Sequence, residues 1–186
     1  MILVFFALPV LGIKAQQPVR AGLIAFYNLE NLFDTIDSPD VYDEDFTPEG
    51  LNKWTGRRYQ EKLGNMALAI SRIGEEDGWQ GGPAILGVSE IENRSVLEDL
   101  VAHPLLKASN YQIVHYDSPD RRGVDVGLLY RPRFFRVTAS ASPELVLKDD
   151  QGERIYTRDQ LVVHDEMHRC PVKNPGNHQL IAGIYP

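Results

Sequence analysis

Apolar residues along this chain fall into short continuous runs between polar, Gly-rich and Pro-rich punctuation, with one long exception. From Arg57 to Ile73 the residues Tyr59, Leu63, Met66, Ala67, Ile70 and Ile73 recur at three and four positions, and Thr55 stands where a cap is needed. That spacing predicts a helix. Gly74 and the GWQGGP segment (78–83) end it, and Ala84 to Ser89 then reads as a short, fully buried strand. Before the helix, Arg20 to Asn28 is a β-favouring run that breaks into polar residues, as a buried strand does where it enters a loop. After it, Ser95 to Val101 predicts a second helix, and 111–116, 124–130, 134–139 and 154–163 each predict a strand. This order gives a layered α/β domain whose sheet is largely assembled by residue 163.

The remainder, His164 to Pro186, differs in character: it holds three of the five histidines and the only cysteine, with no clear periodicity before LIAGIY. A lone Cys170 forms no internal disulfide. At 186 residues and 43% hydrophobic, the chain suits one globular domain. Its net charge of -7 argues against a broad basic surface, so phosphate chemistry here needs a local positive source such as a metal ion. Asp37, Asp40, Asp43, Glu44, Asp45 and Glu49, beside Pro39 and Pro48, predict a solvated acidic loop whose spacing fits no EF-hand. At the N-terminus, ILVFFALPVLGI (2–13) is too short to span a bilayer as a helix and is followed by Lys14 and Ala15. We expect a signal peptide over residues 1–15, cut after Ala15, although no basic segment precedes the apolar run; the plain alternative is a buried first strand. The expected location is secreted or periplasmic, with no stable membrane span.

Two motifs stand at the ends of predicted buried strands, FYNLENLFD (26–34) and ILGVSEIEN (85–93), where α/β sheets place functional side chains. A hard divalent ion takes one or two carboxylates plus carbonyl oxygens and water, and Glu90 with the amide of Asn28 supplies that pair. The bland readings are a surface acid just past a strand end for Glu90 and an Asx-turn for Asn28. DSPDRRGVDVGLLYRP (117–132) sets Arg121, Arg122 and a glycine before a strand carrying Asp125. Arginine forks suit phosphate, and a half-buried Asp can orient a base or nucleophile; a hairpin turn with solvated arginines is the alternative. Arg158, in a strand pattern, is either an edge residue or a phosphate contact. HDEMHRC (164–170) spaces His164 and His168 like zinc ligands, but Asp165 stands where a protease motif needs Glu, and Pro171 leaves little room for a helix. These histidines read as adventitious.

Taken in order, FYNLENLFD, DEDFTPEG with KWTGRRYQEKLGNMALAI, ILGVSEIEN and RRGVDVGLLYRPRFF cover residues 24–163 and resemble a bacterial secreted branch of the endonuclease/exonuclease/phosphatase superfamily. The resemblance implies a four-layer α/β/β/α sandwich, of which residues 20–163 would form the first half. It places a Mg²⁺ or Mn²⁺ ion on Asn28 and Glu90, a substrate phosphate on Arg158, and catalytic duties on Arg122 and Asp125. The implied reaction is attack of water on a metal-polarised phosphodiester, DNA or RNA among the candidates, aided by a His-Asp pair. Superfamily members continue after the strand of Arg158 into a catalytic His, an Asp-x-Asn motif and an Asp-His pair, none recognisable in residues 164–186. That stretch reads as a divergent or frameshifted tail. The competing expectation is an inert truncated fragment or a binding module; no obligate protein partner is evident.

Overall fold

Thr55 accepts the Arg58 amide, and from this cap helix α1 runs Gly56–Arg72. Its buried stripe of Tyr59, Leu63, Ala67 and Ile70 is the face the spacing predicted, and Gly74, left-handed at φ 83°, turns the chain away. The computed structural model describes residues 22–167 and 178–182, with side chains through His164; the expected leader, His168 and Cys170 lie outside the described residues.

The remaining elements are β1 (Ile24–Leu32), β2 (Ile85–Ile91), α2 (Arg94–Ala102), α3 (Pro104–Lys107), β3 (Gln112–His115), β4 (Asp125–Tyr130), β5 (Phe135–Ala141), β6 (Leu147–Lys148), β7 (Arg154–Ile155), β8 (Leu161–Met167) and β9 (His178–Ala182). One sheet has the order β1-β2-β4-β3, with β1 parallel to β2 and the other pairs antiparallel. A second sheet has the order β5-β8-β9, and β6 pairs with β7 as a short ribbon.

Alternation along β2 and β4 sorts side chains between two cores. Leu86, Val88 and Leu129 pack with Leu63, Ile70, Leu97 and Leu100 of the helices; Ile85, Val126 and Leu128 pack with Phe135, Leu161 and Val163 of the second sheet. The central strands β2 and β4 are therefore buried on both faces, which explains why β2 reads as a continuous apolar run. Among the described residues the layers are α/β/β. No helix among them is long and apolar enough to cross a membrane.

One expected element divides. The strand predicted over 154–163 is β7 and β8 with a loop between, because Asp159 accepts the Leu145 amide (2.8 Å) and the Gln160 amide donates to Pro143 (3.3 Å). These bonds commit the segment to the 143–145 stretch instead of a ladder, so Arg158 lies in a loop and not in a strand.

Candidate metal and phosphate site

Strands β1 and β2 run out at the same sheet end, β4 begins there and β3 ends there. Asn28 is opposite Ser89, Ser89 is opposite Val126, and Ile91 is opposite Asp125, so Asn28, Glu90 and Asp125 cross three adjacent strands at one level. Register resumes at Leu32–Ile91, which leaves residues 29 to 31 opposite Glu90 alone. This bulge is built from left-handed residues that are not glycine: Glu30 (φ 52°), Asn31 (φ 62°) and Glu90 (φ 57°). Each such residue costs on the order of 1 kcal/mol, a strain that clusters at functional positions. Lys62 of α1 secures the distortion by donating to the carbonyls of Glu30 and Asn31, the second at 3.3 Å. Burial holds the Lys62 ammonium below the usual lysine range, and Glu30 and Glu90 oppose that shift.

Glu90 sits among cations. Arg158 reaches its carboxylate at 3.6 Å, and the two side chains are 10% and 20% exposed. Arg122 also feels the Glu90 charge, although its guanidinium is gripped by the buried Asp120 at 3.2 Å through both Nε and Nη2. The Asp120 hydrogen bonds, more than any other cause, raise the Arg122 pKa. Asn28 is exposed and its Oδ1 accepts the Glu30 amide at 2.7 Å, the Asx-turn that was its bland reading. That bond uses one lone pair of the amide oxygen and leaves the other. Beside this pair, the Ser89 hydroxyl and Arg158 Nε are buried with no hydrogen-bond partner among the described residues.

Asp125 is placed differently from the half-buried position expected. It is 4% exposed, and both its oxygens are occupied: Oδ2 by His115 Nε2 at 2.9 Å, Oδ1 by the Ser118 amide (2.9 Å) and hydroxyl (2.6 Å). The carboxylate anchors the 117–124 loop that carries Arg122. His115 is a site-adjacent residue the sequence reading missed; its signal was the alternation of QIVH, which places it on the same face of the sheet as Asp125. His115, Asp117 and Asp125 also form a group whose ligand atoms lie within 4.8 Å of one another.

The acidic loop is not wholly solvated. Asp43 is 1% exposed and takes the Ser38 amide on both oxygens, each at 3.2 Å. Next to it Glu92, 8% exposed, accepts the Asp34 amide at 2.6 Å and the Ser38 hydroxyl at 3.4 Å. Burial, reinforced by the charges of Asp34 and Asp43, pushes the Glu92 carboxyl up from 4.5 to about 7. A folded-state pKa above the unfolded one means that the folded chain keeps its proton longer. The associated stability is present below about pH 4.5 and is lost as pH rises towards 7. Urea unfolding should therefore show the Glu92→Gln variant gaining on the parent by about 3 kcal/mol between pH 4.5 and 7.5; parallel pH profiles would refute this.

The two motifs are also stitched together. Asn93 caps α2 by accepting the Val96 amide at 3.1 Å while its amide nitrogen donates to Asp34 at 3.2 Å. Asn93→Ala loses both bonds and is expected to cost about 1–2 kcal/mol in chemical denaturation, more than a cap alone.

A sheet with helices on one face and a second sheet on the other, gathering carboxylate, amide and guanidinium groups where its strands end, defines an α/β scaffold suited to handling phosphoesters. The chain belongs to the endonuclease/exonuclease/phosphatase family, whose model matches residues 23–179. That family hydrolyses phosphoesters and is generally metal-dependent. Among solved structures, the chain is similar to an endonuclease/exonuclease/phosphatase from Bacteroides vulgatus at 16% identity and TM-score 0.46, covering 87% of this chain and 52% of that one. It is also similar to ANGEL2, a 2',3'-cyclic phosphatase, at 15% identity and TM-score 0.42, covering 61% and 29%. The human Nocturnin catalytic domain with bound sulfate gives 15% identity and TM-score 0.39, covering 64% and 41%. The chain thus spans 29% to 52% of the length of these three structures. No curated protein matches it in sequence.

Proposed function

We propose that this chain carries the metal-binding end of a phosphodiester hydrolase site, with Asn28 and Glu90 holding a Mg²⁺ or Mn²⁺ ion and Arg158 meeting substrate phosphate. The observation that carries this reading is the paired distortion of β1 and β2, which sets a carboxylate in strained left-handed backbone beside an exposed amide. The donor set suits a hard divalent ion: two protein oxygens, with water completing the shell. When bound, such an ion supplies Lewis-acid polarisation of a phosphoryl oxygen and a water of lowered pKa.

The chain's own residues have distinct tasks around that chemistry. Arg158, its side chain 10% exposed and its Nε without a partner among the described residues, offers a planar fork to a phosphate and balances Glu90 when none is bound. Arg122, steadied by Asp120, adds positive charge within electrostatic reach of Glu90. Asp125 keeps the loop of Arg122 in place through Ser118 and His115; with both oxygens occupied it acts as a positioning residue and accepts no proton from water.

Turnover of a chromogenic phosphodiester and of plasmid DNA, with Mg²⁺ or Mn²⁺ against chelator, tests the reading when Glu90→Gln is assayed beside the parent. Metal-stimulated, Glu90-dependent turnover supports it. A non-catalytic binding role is the second reading, favoured by Ile24 and Phe26 of β1, which are 54% and 50% exposed; absence of any metal-dependent turnover would select it.

A further inference from the structure

We propose that Arg121, Tyr156 and Arg154 form a subsite for a second phosphate of the substrate, next to the phosphate met at Glu90 and Arg158; this rests on the hydrolase reading above. The Arg121 guanidinium lies over the Tyr156 ring at 5.1 Å from its centroid, and the Arg154 guanidinium lies over the same ring at 4.7 Å. The ring is 42% exposed, so this stack of two cations and a phenol is on the surface.

Its place in the chain ties it to the site. Arg121 precedes Arg122, and Tyr156 is two residues before Arg158, so the segments that bring cations to Glu90 also build the stack. The two cations are not equivalent. Arg154 is ion-paired with Glu144, whereas Arg121 has no carboxylate within ion-pair reach among the described residues. Stacking fixes a guanidinium by its face and leaves its edge N–H groups for an anion, the geometry in which arginine grips phosphate. On a chain of net charge -7, an arginine held in the open without an acidic partner is where a polyanion finds attraction. Tyr42, 70% exposed, is tied to the same loop by the bond from its amide to the Arg121 carbonyl (2.8 Å).

The second phosphate has two sources, a polynucleotide strand or a small bisphosphate, and competition separates them. Fluorescence anisotropy of labelled octathymidylate with the full chain, in chelator so that nothing is cleaved, measures binding apart from hydrolysis. Unlabelled octathymidylate and a sugar bisphosphate compete in separate arms, and a simple monophosphodiester serves as the one-phosphate reference. Arg121→Gln is expected to weaken binding about tenfold and to lower the salt slope by about 0.7, the signature of one lost contact to single-stranded phosphate. Tyr156→Phe retains binding and Tyr156→Ala loses it, while Arg57→Gln, at the start of α1 and paired with Glu61, changes nothing. Stronger competition by octathymidylate identifies a strand, and stronger competition by the bisphosphate a small ligand. Equal affinity of Arg121→Gln and parent, or no preference over the monophosphodiester, overturns the subsite. Because binding is read in chelator, absence of metal-dependent turnover, or undiminished turnover in Glu90→Gln, would sink the hydrolase reading and leave this readout untouched, so the two proposals fail separately.

Discussion

Glu90→Gln is expected to reduce metal-stimulated phosphodiester hydrolysis by about 100-fold or more, the scale on which removing one preorganised charged group acts in such sites. The substitution keeps the side chain's shape while removing the negative charge that pairs with Arg158 at 3.6 Å and that a divalent ion requires. A second variant separates chemistry from backbone. At φ 57° an alanine is strained and a glycine is not, so Glu90→Gly should unfold in urea about 1 kcal/mol later than Glu90→Ala. Both variants strand Arg158 equally, so that cost cancels in the comparison. Undiminished turnover in Glu90→Gln would remove the metal from this position. Equal stability of the Ala and Gly variants would mean that the bulge holds no strain there.

Much of the frame was legible because it depends on local periodicity. Helix α1 with its Thr55 cap follows from spacing alone, as do the buried β2 run and the β3–β4 hairpin around Gly123. The pairing that sets Asn28 opposite Ser89, the neighbour of Glu90, agrees with the expectation that the two motifs lie on neighbouring strands. What could not be read was set by tertiary contact. Nothing in NLENL announces that Glu30 and Asn31 turn left-handed, because the conformation is held by Lys62 from a helix some thirty positions on. Asp43 read as a solvated loop acid, and nothing marked Glu92, until the 34–43 segment folds back and supplies amide and hydroxyl donors. Arg158 read as a strand residue because YTRDQL has strand composition; the bond from the Leu145 amide to Asp159 overrides that preference.

The same logic gives the largest expected loss of stability. Asp125→Ala should destabilise the chain by about 3 kcal/mol, while Asp117→Ala, eight residues earlier in the same loop, should stay within about 0.5 kcal/mol. Both acids face His115, at 2.9 Å and 3.9 Å, but the Asp117 side chain is 94% exposed and that of Asp125 is 5% exposed. Water screens the first interaction and replaces it at little cost. It cannot replace the second, because removing the Asp125 carboxylate strands the His115 ring nitrogen and both Ser118 donors in a dry site. Asp125→Asn should fall between the two, since its carbonyl oxygen still serves Ser118 and the imidazole can shift tautomer to accept from the new amide nitrogen. The consequence for the site runs through the backbone: with Ser118 released, its amide should exchange with solvent faster, and phosphate contacts by Arg121 and Arg122 should weaken with it. A parent-like Ser118 exchange rate in Asp125→Ala, together with unchanged stability, would show that the loop is held by something other than this carboxylate.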